Sequence, residues 1–107
     1  TRKSIDSSFN NVSFDRKELA PILKIYGQMV SKGEWRDYSI SCSVARAIFS
    51  IFRRSSENPL YMIIKTPQLS NKAKMYSIVA MNGRIIKQGS DLTVVLKILN
   101  KKLYKIV

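Results

Sequence analysis

Apolar residues recur along this chain at two spacings, and the change from one to the other divides it into elements. Residues 1–13 (TRKSIDSSFNNVS) follow neither spacing; they are rich in Ser and Asn and read as a flexible leader before a single domain over residues 14–107. Leu19, Ile22, Leu23, Tyr26, Met29 and Val30 then repeat at three and four, the stripe of a helix with one buried face. Its start is well marked. Asp15 suits the N-cap, Glu18 stands three residues on where its carboxylate can reach back to the cap amide, and Phe14 and Leu19 occupy the staple positions. Gly33 is the natural stop, free to take a left-handed conformation. Pro21 falls in the second turn, where its ring crowds the Lys17 carbonyl and deletes a hydrogen bond. That predicts either a tilted or separate first turn or a helix that begins near Pro21.

From Arg36 the period becomes two. Tyr38, Ile40 and Cys42 alternate with Asp37, Ser39, Ser41 and Ser43, a strand with one wet face, in which Cys42 is expected to be a buried, inert thiol. Residues 45–54 are apolar on both faces at their centre, 55–59 read as a turn, and 60–66 form a strand closed by Pro67. After a loop at 68–73, residues 75–81 read as a strand. Asn82-Gly83 supplies the pair that a two-residue type I′ hairpin needs, and 84–88 return. That turn would set Met81 opposite Arg84, Val79 opposite Ile86 and Ile78 opposite Lys87. One face then carries Met75, Val79, Met81 and Ile86, the other Tyr76, Ile78, Ala80 and Ile85. Both are apolar, so the sheet needs covering twice, by a helix on each face or by helices on one face and a partner, such as a second copy, on the other.

Gly89-Ser90-Asp91 offers a break and a cap, and Leu92, Val95, Leu96, Leu99 and Leu103 form a second helical stripe with Lys101, Lys102 and Lys105 in its last turns. The predicted fold is α+β: an N-terminal helix, an antiparallel meander of four or five strands, and a C-terminal helix.

Composition narrows the chemistry. The 107 residues contain no histidine, which removes Ser-His-Asp and Cys-His catalysis, the imidazole base and the usual zinc and iron ligand sets. A single cysteine forms no internal disulfide or thiolate cluster and fits a reducing compartment, the cytoplasm. The seven carboxylates show no paired spacing, and the four glycines form neither a phosphate loop nor a dinucleotide fingerprint. The expectation is a chain without enzymatic activity, catalytic residues, metal or cofactor. No apolar run approaches the ~20 residues of a membrane span. Residue 1 is Thr, so a removed leader would leave no trace here.

Charge adds a direction. Nineteen Lys and Arg stand against seven Asp and Glu, a net +12. In a meander, alternate strand ends meet, so Arg46, Lys65, Lys72, Lys74 and Lys87 would gather at one end of the sheet and Arg53, Arg54 and Arg84 at the other. Such clusters suit an anionic partner, RNA or DNA, with Tyr61, Tyr76 and Phe52 available for base stacking if exposed; for any one cluster, solvation of strand ends is the weightier explanation. No recognition-helix, zinc-finger, RNP or GXXG pattern is present. The basic, amphipathic last helix also resembles a membrane-surface helix, though core packing of its stripe accounts for the pattern better. Trp35, Arg36 and Tyr38, within Glu34-Trp35-Arg36-Asp37-Tyr38, form a candidate interaction patch, with core packing of Trp35 or Tyr38 as the structural alternative.

The runs Phe14 to Leu19, Tyr26 to Val30, Gly33 to Tyr38, Phe49 to Arg54, Pro59-Leu60-Tyr61 and Asp91-Leu92 together resemble a small alphaproteobacterial family catalogued as domain of unknown function 2794. The resemblance spans roughly Val12 to Leu103 and is most specific at Gly33 to Tyr38. It implies a bacterial, cytoplasmic protein and no particular activity or ligand. The leading expectation is thus a small basic binding module for nucleic acid or another anionic partner. The alternative is a protein-interaction or homodimerising module that uses the second apolar sheet face.

Overall fold

A computed structural model of the chain describes residues 11–53, 58–67 and 72–106, with backbone alone at residue 72 and over 101–106. Most of the expected leader, the side chains of Arg54 and Lys72, and the lysines expected in the last helical turns lie outside the described residues.

Helix α1 (Arg16–Ser31) starts on the capping box that the spacing predicts: the Glu18 N–H donates to the Asp15 carboxylate at 2.9 Å, and the Asp15 N–H donates to Glu18 Oε1 at 2.8 Å. Phe14 is buried, and Leu19 packs partly buried against the same core. Pro21 does not tilt or separate the first turn; α1 runs continuously through it. The reciprocal cap holds the turn ahead of the proline, and Lys17, whose carbonyl loses its donor, is exposed so that water can replace it. Gly33, at φ 77°, ends the helix. Its N–H donates to the Val30 carbonyl and that of Glu34 to Met29, each at 2.9 Å, the paired bonds of a Schellman cap.

Five strands follow, β1 (Asp37–Cys42), β2 (Ala47–Phe52), β3 (Tyr61–Lys65), β4 (Tyr76–Ala80) and β5 (Ile85–Gly89), each antiparallel to the next in one sheet of order β1-β2-β3-β4-β5. A 3₁₀ turn (Lys72–Lys74) precedes β4, and helix α2 (Leu92–Ile106) closes the chain. Asp91 opens α2 by accepting from the Thr93 N–H at 3.0 Å and the Thr93 hydroxyl at 2.6 Å.

The last hairpin departs from the expected turn. Asn82 does not take positive φ; Gly83 does, at 85°. The Gly83 N–H closes on the Ala80 carbonyl at 2.9 Å and the Ala80 N–H on the Arg84 carbonyl at 2.8 Å, so the loop is three residues long, a tight turn followed by a left-handed glycine. Ile78 still faces Lys87, but the register slips by one residue beyond it, and Val79 faces Ile85 instead of Ile86. Ile86 packs against the core, whereas Ile85 is 52% exposed.

Both helices lie on the same face of the sheet. Ile22, Ile25 and Met29 of α1 and Leu92, Val95, Leu96 and Leu99 of α2 form one core with Ala47, Phe49, Ile51, Ile63, Tyr76 and Ile78. Cys42 shares this face by alternation, yet it is exposed, because it sits on the outermost strand where no described element covers it.

Candidate interaction surface

The meander does bring together the strand ends that carry the expected basic groups, but the groups themselves have different fates. Lys65 turns inward: its Nζ lies 2.8 Å from Glu18 Oε1 and 2.9 Å from the Ser13 carbonyl, with only 13% of its side chain exposed. Glu18 also accepts from the Tyr76 hydroxyl, so one carboxylate joins the start of α1 to β3 and β4. Burial, strengthened by this hydrogen bond and by the Glu18 charge, pushes the Tyr76 phenol well above the ordinary tyrosine range. Sequence reasoning assigned Glu18 its cap but missed this second role. The only available signal was the parity that puts Lys65 on the face of Ile63.

Arg46, Lys74 and Lys87 are exposed near that end of the sheet. At the other end Arg84 is exposed and Arg53 pairs with Glu34 at 3.4 Å. Of the rings considered for stacking, Tyr76 is buried, Tyr61 packs against the core, and Phe52 alone lies on the face away from the helices. Among the described residues of the two expected clusters, Lys65 is thus drawn inward and Arg53 is paired, while Arg46, Lys74, Lys87 and Arg84 stay exposed.

Trp35, Arg36 and Tyr38 differ in exposure. Trp35 is 3% exposed, with ring centroids 6.2 Å from Tyr26 and 6.3 Å from Tyr61. Arg36 is exposed and lines a shallow cleft with Val30, Gly33, Trp35 and Arg53. Tyr38 is 40% exposed and stacks on Phe49 at 4.8 Å, with Tyr26 edge-on at 4.9 Å.

Two other features stand out. The face of the sheet opposite the helices carries Ile48, Phe52, Met62, Ile64 and Val79, with Ile85 beside them, and no described helix crosses it. Ser50, Ser77 and Gln88 share this face, Gln88 donating to Ser77 at 3.2 Å. The other feature is the outer edge of β1. The Ser43 N–H donates to the Arg46 carbonyl at 2.9 Å, which makes that pair hydrogen-bonded. By alternation the backbone groups of Asp37, Ser39 and Ser41 then face β2, and those of Tyr38, Ile40 and Cys42 face outward. The outward N–H of Tyr38 is met by the Asp37 carboxylate at 2.8 Å. Those of Ile40 and Cys42 have no partner among the described residues.

Among the described residues no group of three or more Cys, Asp or Glu side chains is placed to hold a metal ion, and no helix is long and apolar enough to cross a membrane. The architecture is a two-layer α+β fold, a five-stranded antiparallel meander with both helices on one face. Residues 12–96 match the model of the family described as protein of unknown function, DUF2794, and the chain belongs to that family. No curated protein and no solved structure matches it.

Proposed function

We propose that the chain is a non-enzymatic protein-interaction module whose working surface is the sheet face opposite the helices. One observation carries this reading: α1 and α2 share a core with one face, leaving the apolar residues of the other to be covered from outside. On that face Val79 is enclosed by its own neighbours, while Ile48, Phe52, Met62 and Ile64 are half-buried and Ile85 is exposed, so part of its apolar surface meets water, at a cost of about 25 cal/mol for each Å². Its rim supports the same reading, since Ser39, Ser41 and Gln88 frame an apolar centre with polar groups.

The test is fluorescence of a hydrophobic-surface dye on the folded chain and on Met62→Lys. Dye binding by the native chain, lost in the variant at unchanged melting temperature, is the expected result; no binding by the native chain would overturn the reading. The exposed Arg46, Lys74, Arg84 and Lys87, with the net charge of +12, favour a second reading, an anionic partner such as nucleic acid. A mobility shift of mixed oligonucleotides at low salt, fading at moderate salt, would support it, and no shift at low salt would retire it.

A further inference from the structure

The outer edge of β1 lacks the devices that usually keep a sheet edge from pairing. Exposed sheet edges are usually blunted by Lys, Pro, a bulge or a covering element. β1, Asp-Tyr-Ser-Ile-Ser-Cys, is six residues long with no Lys or Pro, all exposed; irregular backbone contacts lie only just outside it, from the Arg36 N–H to the Phe52 carbonyl at 2.8 Å and from the Val12 N–H to the Ser43 carbonyl at 2.7 Å.

We propose that the chain forms a two-fold symmetric dimer in which β1 pairs antiparallel with β1 of the second copy, extending the two sheets into one. A two-fold axis normal to the sheet keeps equivalent faces together and sets Ile40 opposite Ile40 of the second copy. Tyr38 then lies opposite Cys42, and Ser39 opposite Ser41. In this register the outward backbone groups of Tyr38, Ile40 and Cys42 meet one another, the Tyr38 N–H giving up its Asp37 carboxylate for a Cys42 carbonyl.

Charge agrees with this arrangement. In a chain of net +12, residues 37–45 contain no Lys or Arg, so the two edges approach without opposing positive charges. On the face away from the helices, Asp37 comes to lie opposite Ser43, whose neighbour across its own hairpin is Arg46. Two strand spacings, roughly 10 Å, separate the backbones of Asp37 and the second copy's Arg46, within reach of an arginine passing over a small serine. Arg46 is exposed. The pairing is reciprocal, giving two such contacts per dimer.

Three strand residues a side are too little for a stable dimer, which typically buries about 800 Å² on each partner. The remaining area is supplied by α1. Leu19, Leu23, Tyr26 and Val30 form a flank of the helix turned away from α2 and toward β1, as the 4.9 Å contact between Tyr26 and Tyr38 shows. Of the eight large hydrophobic side chains exposed among the described residues, five lie on this flank or on β1 and its turn: Leu23, Val30, Tyr38, Ile40 and Val44.

This surface is separate from the sheet face of the proposed function, and the experiment tells the two apart. Light scattering over a wide concentration range reads the mass, expected at twice the 12.3 kDa of one chain. Ile40→Pro removes an outward N–H that no β1–β2 bond uses, so it should give a monomer with native helicity, while Met62→Lys stays dimeric. In a Cys42→Ser background, Ile40→Cys should form a disulfide-linked dimer on mild oxidation, and Met62→Cys should not. The Cα separation of a hydrogen-bonded antiparallel pair, about 5.5 Å, lies in the disulfide range, so this readout holds even where Ile40→Pro fails to fold. A monomer at high micromolar concentration overturns the proposal and leaves the dye test untouched. So does a dimer that survives Ile40→Pro, or one that Met62→Lys abolishes, which would move the interface to the uncovered face.

Discussion

At the scale of single residues, Glu18 does the most for this fold. Its backbone N–H and one carboxylate oxygen complete the α1 cap, that same oxygen holds the Lys65 ammonium, and its second oxygen accepts from Tyr76. The ion pair is nearly enclosed, with 13% and 10% of the two side chains exposed, so removing one partner strands the other charge. Glu18→Gln should therefore cost about 3 kcal/mol or more in urea denaturation, well beyond a lost cap alone at about 1. The Tyr76 phenol makes a prediction about pH. Its folded pKa is raised above the unfolded value of about 10, so its contribution is complete below pH ~10 and is lost as pH rises beyond. Melting temperatures between pH 8 and 11 should fall more steeply for the native chain than for Tyr76→Phe. Asp91 behaves oppositely: the Thr93 hydroxyl bond holds its carboxyl below the usual carboxylate range, so the cap stabilises α2 at neutral pH and weakens on acidification.

At the scale of elements, the helices and strands form where local patterns direct them, and the exceptions have local causes. Pro21 is one: it costs α1 a hydrogen bond that the capping box and core contacts outweigh, while stiffening the unfolded chain. Pro21→Ala should raise stability by roughly 1 to 2 kcal/mol, read as a higher denaturation midpoint at unchanged slope. The β4–β5 hairpin is another. Asn82-Gly83 marks the turn correctly, but a two-residue loop needs Asn82 itself at positive φ, whereas a three-residue loop asks this only of Gly83. The dipeptide serves either geometry, so the register slip that brings Ile86 to the core was not legible in it.

At the scale of the whole molecule, salt separates the readings of function. Contacts through the uncovered apolar face should hold or strengthen from low to high sodium sulfate in sedimentation velocity, whereas binding of nucleic acid through Arg46, Lys74, Arg84 and Lys87 should weaken steeply with salt. The order and type of the two helices and the antiparallel meander between them were legible in the sequence itself, whereas the start of α1 ahead of Pro21 and the choice between four and five strands were not. A cap, a stop glycine or an alternation of polar and apolar residues acts over a few positions, and a meander joins neighbours in chain order. What the tertiary structure alone decided was coverage. Both helices settle on one face, Lys65 is drawn under α1 to Glu18, Trp35 is enclosed by Tyr26 and Tyr61, and Cys42 stays exposed on an edge strand with the same alternation as buried β2. Whether a side chain is buried depends on which distant segment crosses over it, and residues 47 positions apart, such as Glu18 and Lys65, carry no local sign that they will meet.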